Sequence, residues 1–119
     1  TIAALTKSKL PGNKIDGQDI SSAMTSDRSP RTNMLFYSAR GELQGIREGD
    51  WKFLEITKVN RKNKSSQTTS YLFNLKDDVG EQNNLITQYP ERVGRMKIQM
   101  ERLDDEITQN ARSVWRKTE

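Results

Sequence analysis

The sequence predicts an α+β domain. It reads as a four-stranded antiparallel β-sheet packed against one long C-terminal amphipathic α-helix, preceded by an irregular N-terminal arm. Three observations point there. Four short runs rich in aromatic and β-branched residues (34–38, 43–47, 51–57 and 71–75) are parted mostly by Gly-containing turns, the pattern of an antiparallel meander. Apolar residues then recur at spacings of three and four: Val93, Met96, Met100, Leu103, Ile107, Ala111 and Val114. That period belongs to one face of a helix of about five or six turns. Residues 12–33 are crowded with Gly, Asn, Asp, Ser and Thr, which favour turns over regular elements.

Taken in order, Ile2 to Leu5 read as the tail of a helix that Pro11 and Gly12 would end. The stretch 12–33 has one apolar beat at Ile15, Ile20 and Met24. A connection that long usually lies over another surface. We therefore divide the chain into an arm, residues 1–33, and a sheet-plus-helix domain, residues 34–119. Met34 to Ser38 is the first strand, and Gly41 can supply a positive φ in the turn after it. Leu43 to Arg47, a tight turn at "EGD", and Trp51 to Thr57 follow. Residues 58–69, "KVNRKNKSSQTT", read as a polar, basic loop, and Tyr71 to Leu75 as the fourth strand. "KDDVGEQNNL" is a turn-rich link, and Pro90 suits the first turn of the final helix. Trp51, Phe53 or Leu54, Leu72 or Phe73, Met96, Met100 and Leu103 should share the core, since aromatic residues in strands are more often core than ligand slot.

Composition bounds the chemistry. The 119 residues suit one small domain. Hydrophobic residues are only 32% and charged residues 30%, with a mean hydropathy of −0.91. A chain so polar is partly loop, partly disordered, or normally leans on a larger body. There is no Cys and no His. Disulfides, thiolate sites and the commonest neutral-pH base are therefore excluded within it. The net charge is +4 and the pI about 9.5. Residues 1–60 hold 9 basic and 7 acidic groups, and residues 61–119 hold 11 and 9, so each half is +2 and acids lie among the bases. That is a mixed solvated surface rather than a basic stripe. We expect no specific nucleic-acid partner and no membrane span, because no apolar run approaches 18 residues.

Two clusters stand out. Asp16, Asp19 and Asp27 suggest a hard-cation site, but no Glu follows at the spacing of a calcium loop. A turn at Asp16-Gly17 and a cap from Asp19 account for them better. Arg61, Lys62 and Lys64 form the densest basic run, yet no aromatic residue lies within the loop to stack on a base or sugar. The seam of the last helix also fits an oligomerisation module.

The order of the pieces resembles the end of a sulfatase. "TIAALTKSKLPGNKIDGQDISSAM" (1–24) is similar to the stretch by which sulfatases leave their large catalytic domain. "LQGIREGDWKFL" (43–54), "YLFNLKDDVGEQNNLI" (71–86) and "YPERVGRMKIQMERLDDEI" (89–107) resemble the three segments that follow in that family. Gly45 stands where Ala is usual, Asp50 where Lys is usual, and Val79 where Pro is common. Ser29-Pro30-Arg31 does not match the family's Cys/Ser-x-Pro-x-Arg nucleophile motif, since Arg28 and Thr32 occupy the two key places.

The resemblance implies the C-terminal subdomain of an arylsulfatase-type enzyme of the alkaline-phosphatase-like superfamily, with Thr1 starting mid-protein. It implies sulfate-ester hydrolysis by a formylglycine with bound calcium, all in the upstream domain. No catalytic or metal-binding residue transfers onto this segment, and the segment alone should be inactive. Arg31 and Arg47 are the positions expected to touch the substrate cleft. The expected partner is the missing catalytic domain, with self-association of the separated segment. A periplasmic or secreted location is suggested by the resemblance alone. The alternatives are a small basic module for nucleic acid or sulfated polysaccharide, or the helix-mediated oligomerisation module.

Overall fold

A computed structural model describes residues 1–12, 15, 17–26, 29–60 and 64–111, without the side chain of Asn60. Asp16, Asp27, Arg61, Lys62, Val114 and the tail from Arg112 lie outside these residues, so the readings made on them stay expectations. The chain falls into two compact units, 32–103 and 1–31 with the residues from Asp104 onward. Each is described by itself.

In the larger unit, β1 (Asn33–Tyr37), β2 (Leu43–Glu48), β3 (Trp51–Asn60) and β4 (Ser65–Asn74) form one antiparallel sheet in sequence order. The long helix α3 (Pro90–Gln109) follows; its first fourteen residues belong to this unit. The α+β expectation therefore holds. The register aligns Leu35 with Ile46, Ile46 with Phe53, and Phe53 with Leu72. Side chains alternate across a strand, so this row lies on one face. Ile46, Phe53 and Leu72 are essentially inaccessible to solvent and pack with Met96 and Met100 of α3. Leu35, Leu43, Trp51, Leu85, Ile86, Val93 and Leu103 close around them. Val93, Met96, Met100 and Leu103 of the helix stripe thus pack on the sheet, while Ile107 is exposed. Of the expected core, Phe53, Leu72, Met96 and Met100 are central, while Trp51 and Leu103 are peripheral. Ile46, which the sequence reading did not single out, is central.

The turns follow local chemistry. Glu48 pairs with Trp51 across a two-residue turn in which Gly49 has φ +58°, the sign a type II′ hairpin needs at its first central residue. Between β1 and β2, the Ser38 hydroxyl accepts from the N–H groups of Arg40 and Glu42, and Gly41 takes φ +81°.

Of the stretch read as a loop, residues 58–60 and 65–69 are strand, while 61–63 lie outside the described residues. β3 and β4 stay paired from Glu55–Ser70 out to Asn60–Ser65, beyond the reach of β2. A sheet ladder is made of backbone bonds and tolerates polar side chains. Thr57, Val59, Thr68 and Thr69 favour the extended form, and the Thr57 and Thr68 hydroxyls bond each other across the strands at 2.8 Å. The absence of apolar alternation hid this ribbon in the sequence.

In the smaller unit, α1 (Ile2–Thr6) is capped by Lys7 in the left-handed region at φ 55°, so it ends before Pro11 and Gly12 are reached. A second short helix, α2 (Ser21–Thr25), was not expected. The N-cap of α2 is Ile20, without a side-chain cap bond; Asp19, foreseen as the cap, stands one residue before it and accepts from the Ser21 N–H at 2.9 Å. This bond draws its carboxyl below the usual carboxylate range. α3 ends at Gln109, so Ala111 lies outside it, and the Asn110 side chain donates to the Glu106 carbonyl. None of the described residues of 1–31 is buried, and Ile2, Leu5, Leu10 and Met24 are all more than 60% exposed.

Candidate functional site

The face of the sheet turned away from α3 is the candidate surface. By the same register, Phe36, Gly45, Leu54 and Tyr71 form one cross-strand row on it, and Met34, Arg47, Lys52 and Phe73 form the next. The Tyr71 and Phe73 rings stack at 6.0 Å with 13° between planes. Lys52 holds its ammonium 5.1 Å from the centre of the Phe36 ring and 2.6 Å from a Glu81 carboxylate oxygen. Glu81 sits at φ +54°, unusual for a residue with a side chain. Phe36, Leu54, Ile56 and Tyr71 are each half-buried. This face therefore presents apolar groups that the chain only partly covers, with one neutralised cation among them.

Gly45 is the tight point of the face. A Cβ there would fall on the Phe53 carbonyl oxygen and lie 2.7 Å from a Leu54 methyl. The departure from the usual Ala is thus matched by a backbone that has no room for Ala.

Of the two positions read as cleft contacts, Arg47 lies on this face in register with Met34 and Lys52. Its Nε donates to the Gly49 carbonyl at 2.9 Å, and it is exposed. Arg31 is exposed and its N–H donates to the Ser29 hydroxyl at 3.2 Å. It belongs to the other unit, and the structure does not bring the two together within one described body. The Lys52–Glu81 pair was missed by sequence reasoning. Alternation places Lys52 beside Phe36, but the arrival of Glu81 depends on the path of the link.

That link explains the family-like motif of residues 71–86 in structural terms. The Asp78 carboxylate accepts from the N–H groups of Asn83 and Gln82 at 2.8 and 3.1 Å. Those two bonds, Asn83 first, hold its carboxyl below the usual range. The Asn84 side-chain oxygen accepts from the N–H groups of Leu72 and Ile86, and its amide donates to the Ser70 carbonyl. Leu85 donates to the Leu72 carbonyl at 2.8 Å and packs against the core. Replacing Asn84 by Ala should remove three bonds at once. We expect a loss of about 1–2 kcal/mol, much of it the desolvation of the Leu72 N–H left without a partner. A urea titration monitored by Trp51 fluorescence checks it.

Beyond the link, Trp51 anchors the start of α3. Tyr89 meets it edge-on at 5.1 Å, and the Arg92 guanidinium lies 4.3 Å above its ring. A shallow recess of about 330 Å³ along Gln88–Arg95 lies beside this cluster. Among the described residues there is no buried polar or charged residue and no group of three side chains able to hold a metal ion.

No family model matches this sequence, and no curated protein matches it. A solved structure does: a sulfatase of Bacteroides thetaiotaomicron, described with the metabolism of multiple glycosaminoglycans, superposes with a TM-score of 0.67 at 24% identity over 86% of this chain. The fold is sulfatase-like. The chain spans only 23% of the length of that structure. The likeness therefore extends to a segment of a sulfatase, and at this identity it concerns fold alone.

Proposed function

We propose that the chain serves as the C-terminal subdomain of a sulfatase of the alkaline-phosphatase-like superfamily. It completes the fold and gives a wall to the substrate cleft. The observation that carries this reading is the match of nearly the whole chain to under a quarter of a sulfatase. The half-covered face around Leu54 and Tyr71, and the exposed apolar residues of 1–31, support it. Both are surfaces that a larger catalytic body would cover. Arg47, and Arg31 from the arm, are the cations proposed to face the sulfated substrate. The formylglycine, the calcium and the His, Lys and Arg groups that act with them belong upstream; the described residues supply no donor set for the metal.

The purified 119-residue chain should therefore hydrolyse no sulfate ester, because it lacks an activated nucleophile and any group placed for the developing charge. Turnover of an aryl sulfate above a buffer blank, surviving repurification, would overturn the reading. The parent gene should encode a Cys/Ser-x-Pro-x-Arg motif upstream of Thr1. Sulfated glycosaminoglycans are the first substrates to test with the whole protein, given what is described for the neighbour.

A further inference from the structure

The β3–β4 ribbon has an open edge whose polarity and charge specify what fits it. Leu72 turns both its N–H and its C=O away from β3, to Asn84 and Leu85. In an antiparallel pair, outward residues alternate with paired ones. Ser70, Thr68 and Ser66 therefore point their backbone groups outward as well. Among the described residues, the link's bonds to this edge are those to Leu72 and the Ser70 carbonyl. Residues 64–69 are exposed, and the ribbon runs about 20 Å past the end of β2 pairing. Natural edges are usually blunted by proline, charge or a bulge; residues 65–70, "SSQTTS", contain neither proline nor charge, and their pairing with β3 is unbroken. The charges lie alongside instead. From Ile56 to Lys76 the sequence has no acidic residue; Lys64 immediately precedes β4, and Lys58 stands opposite Gln67 on β3, one strand in from the edge.

We propose that this edge receives an extended, acidic polypeptide segment as a fifth strand. Backbone bonds to Ser66, Thr68 and Ser70 would hold it, and Lys58 and Lys64 would select its charge. The inference rests on the edge alone and stands apart from the sulfatase reading.

The test uses the 119-residue chain and two synthetic eight-residue peptides, one alternating Thr and Val with Glu, the other with Lys in place of Glu. With the Glu peptide, amide exchange followed by NMR should slow about tenfold or more at Ser66, Thr68 and Ser70, while Thr69 and Tyr71 stay unchanged. The Glu peptide should bind at least about tenfold tighter than the Lys peptide. Thr68→Pro removes an outward N–H, which an edge strand tolerates, together with the exposed hydroxyl bond to Thr57; it should weaken binding about tenfold with only a small fall of the thermal melt. Lys58→Glu with Lys64→Glu should abolish the preference for Glu and leaves every backbone group in place. Unslowed edge amides, equal binding of the two peptides, or undiminished binding by both variants would overturn the proposal. So would protection at the same amides that rises with protein concentration in the absence of peptide, which would assign the edge to a second copy.

Discussion

Replacing Phe53 by Ala is expected to cost about 3–5 kcal/mol, the usual range for emptying a buried aromatic site. Phe53 is 1% exposed and sits within the row Leu35, Ile46, Phe53, Leu72, in one buried cluster with Met96 and Met100. Only six hydrophobic residues among those described are buried, so the structure has few other contacts to spread the loss over. Domains of this size hold roughly 5–15 kcal/mol in total. The melting temperature should therefore fall by something on the order of 20 °C, read by circular dichroism. Met96→Asp should go further and remove the cooperative transition, because it places an unpaired carboxylate in the same cluster. Leu103→Asp should be milder: Leu103 is half-buried at the margin, where a carboxylate can turn toward water. A melt of Phe53→Ala within a few degrees of the parent would show that the helix does not pack on this row.

The second large effect is expected at Gly45. The first carbon of any side chain would collide with the Phe53 carbonyl, which is backbone and cannot rotate aside, and with the Leu54 side chain. Gly45→Ala should cost about 1–3 kcal/mol, as overpacking does, and Gly45→Val more, because its branches meet the same wall. The signature differs from that of Phe53→Ala. Amides on both β2 and β3 should shift in NMR spectra, since the strands must part, whereas a cavity mutant leaves the ladder in place. An Ala variant as stable as the parent would mean that β2 relaxes freely, and that the Gly at this position has no packing cause.

Most of the fold was legible because its devices are local. Gly41 and Gly49 mark the two tight turns, the strands between them carry aromatic and branched residues, and the 3–4 spacing from Val93 to Leu103 fixes the face of α3 that is buried. The ribbon was not legible, because Ser65 to Ser70 carry no apolar alternation and their pairing is a matter of backbone bonds. The helix α2 was not legible either, being a single short turn, Ser21–Thr25, with no side-chain cap bond and no buried residue. Of the candidate surface, alternation alone places Arg47, Lys52 and Phe36 on one face. What it does not show is Glu81 crossing to Lys52, since that depends on how Asp78 and Asn84 steer ten residues of link.

The sheet's strand order has a kinetic consequence. Because β1 to β4 pair strictly in sequence order, every strand contact is a hairpin contact, and hairpins close in roughly 1–10 μs. Yet the row Leu35, Ile46, Phe53, Leu72 has no lid until residues 93–103, some twenty positions after the last strand, swing back across it. The slow, committing event in folding is therefore the arrival of the helix on a meander already assembled. Before it, the chain is a twisted ribbon of hairpins with one greasy side, the kind of species that aggregates when it lingers. The three bonds that Asn84 and Leu85 make to Leu72 and Ser70 on the edge of β4 shorten that search by fixing where the returning chain begins.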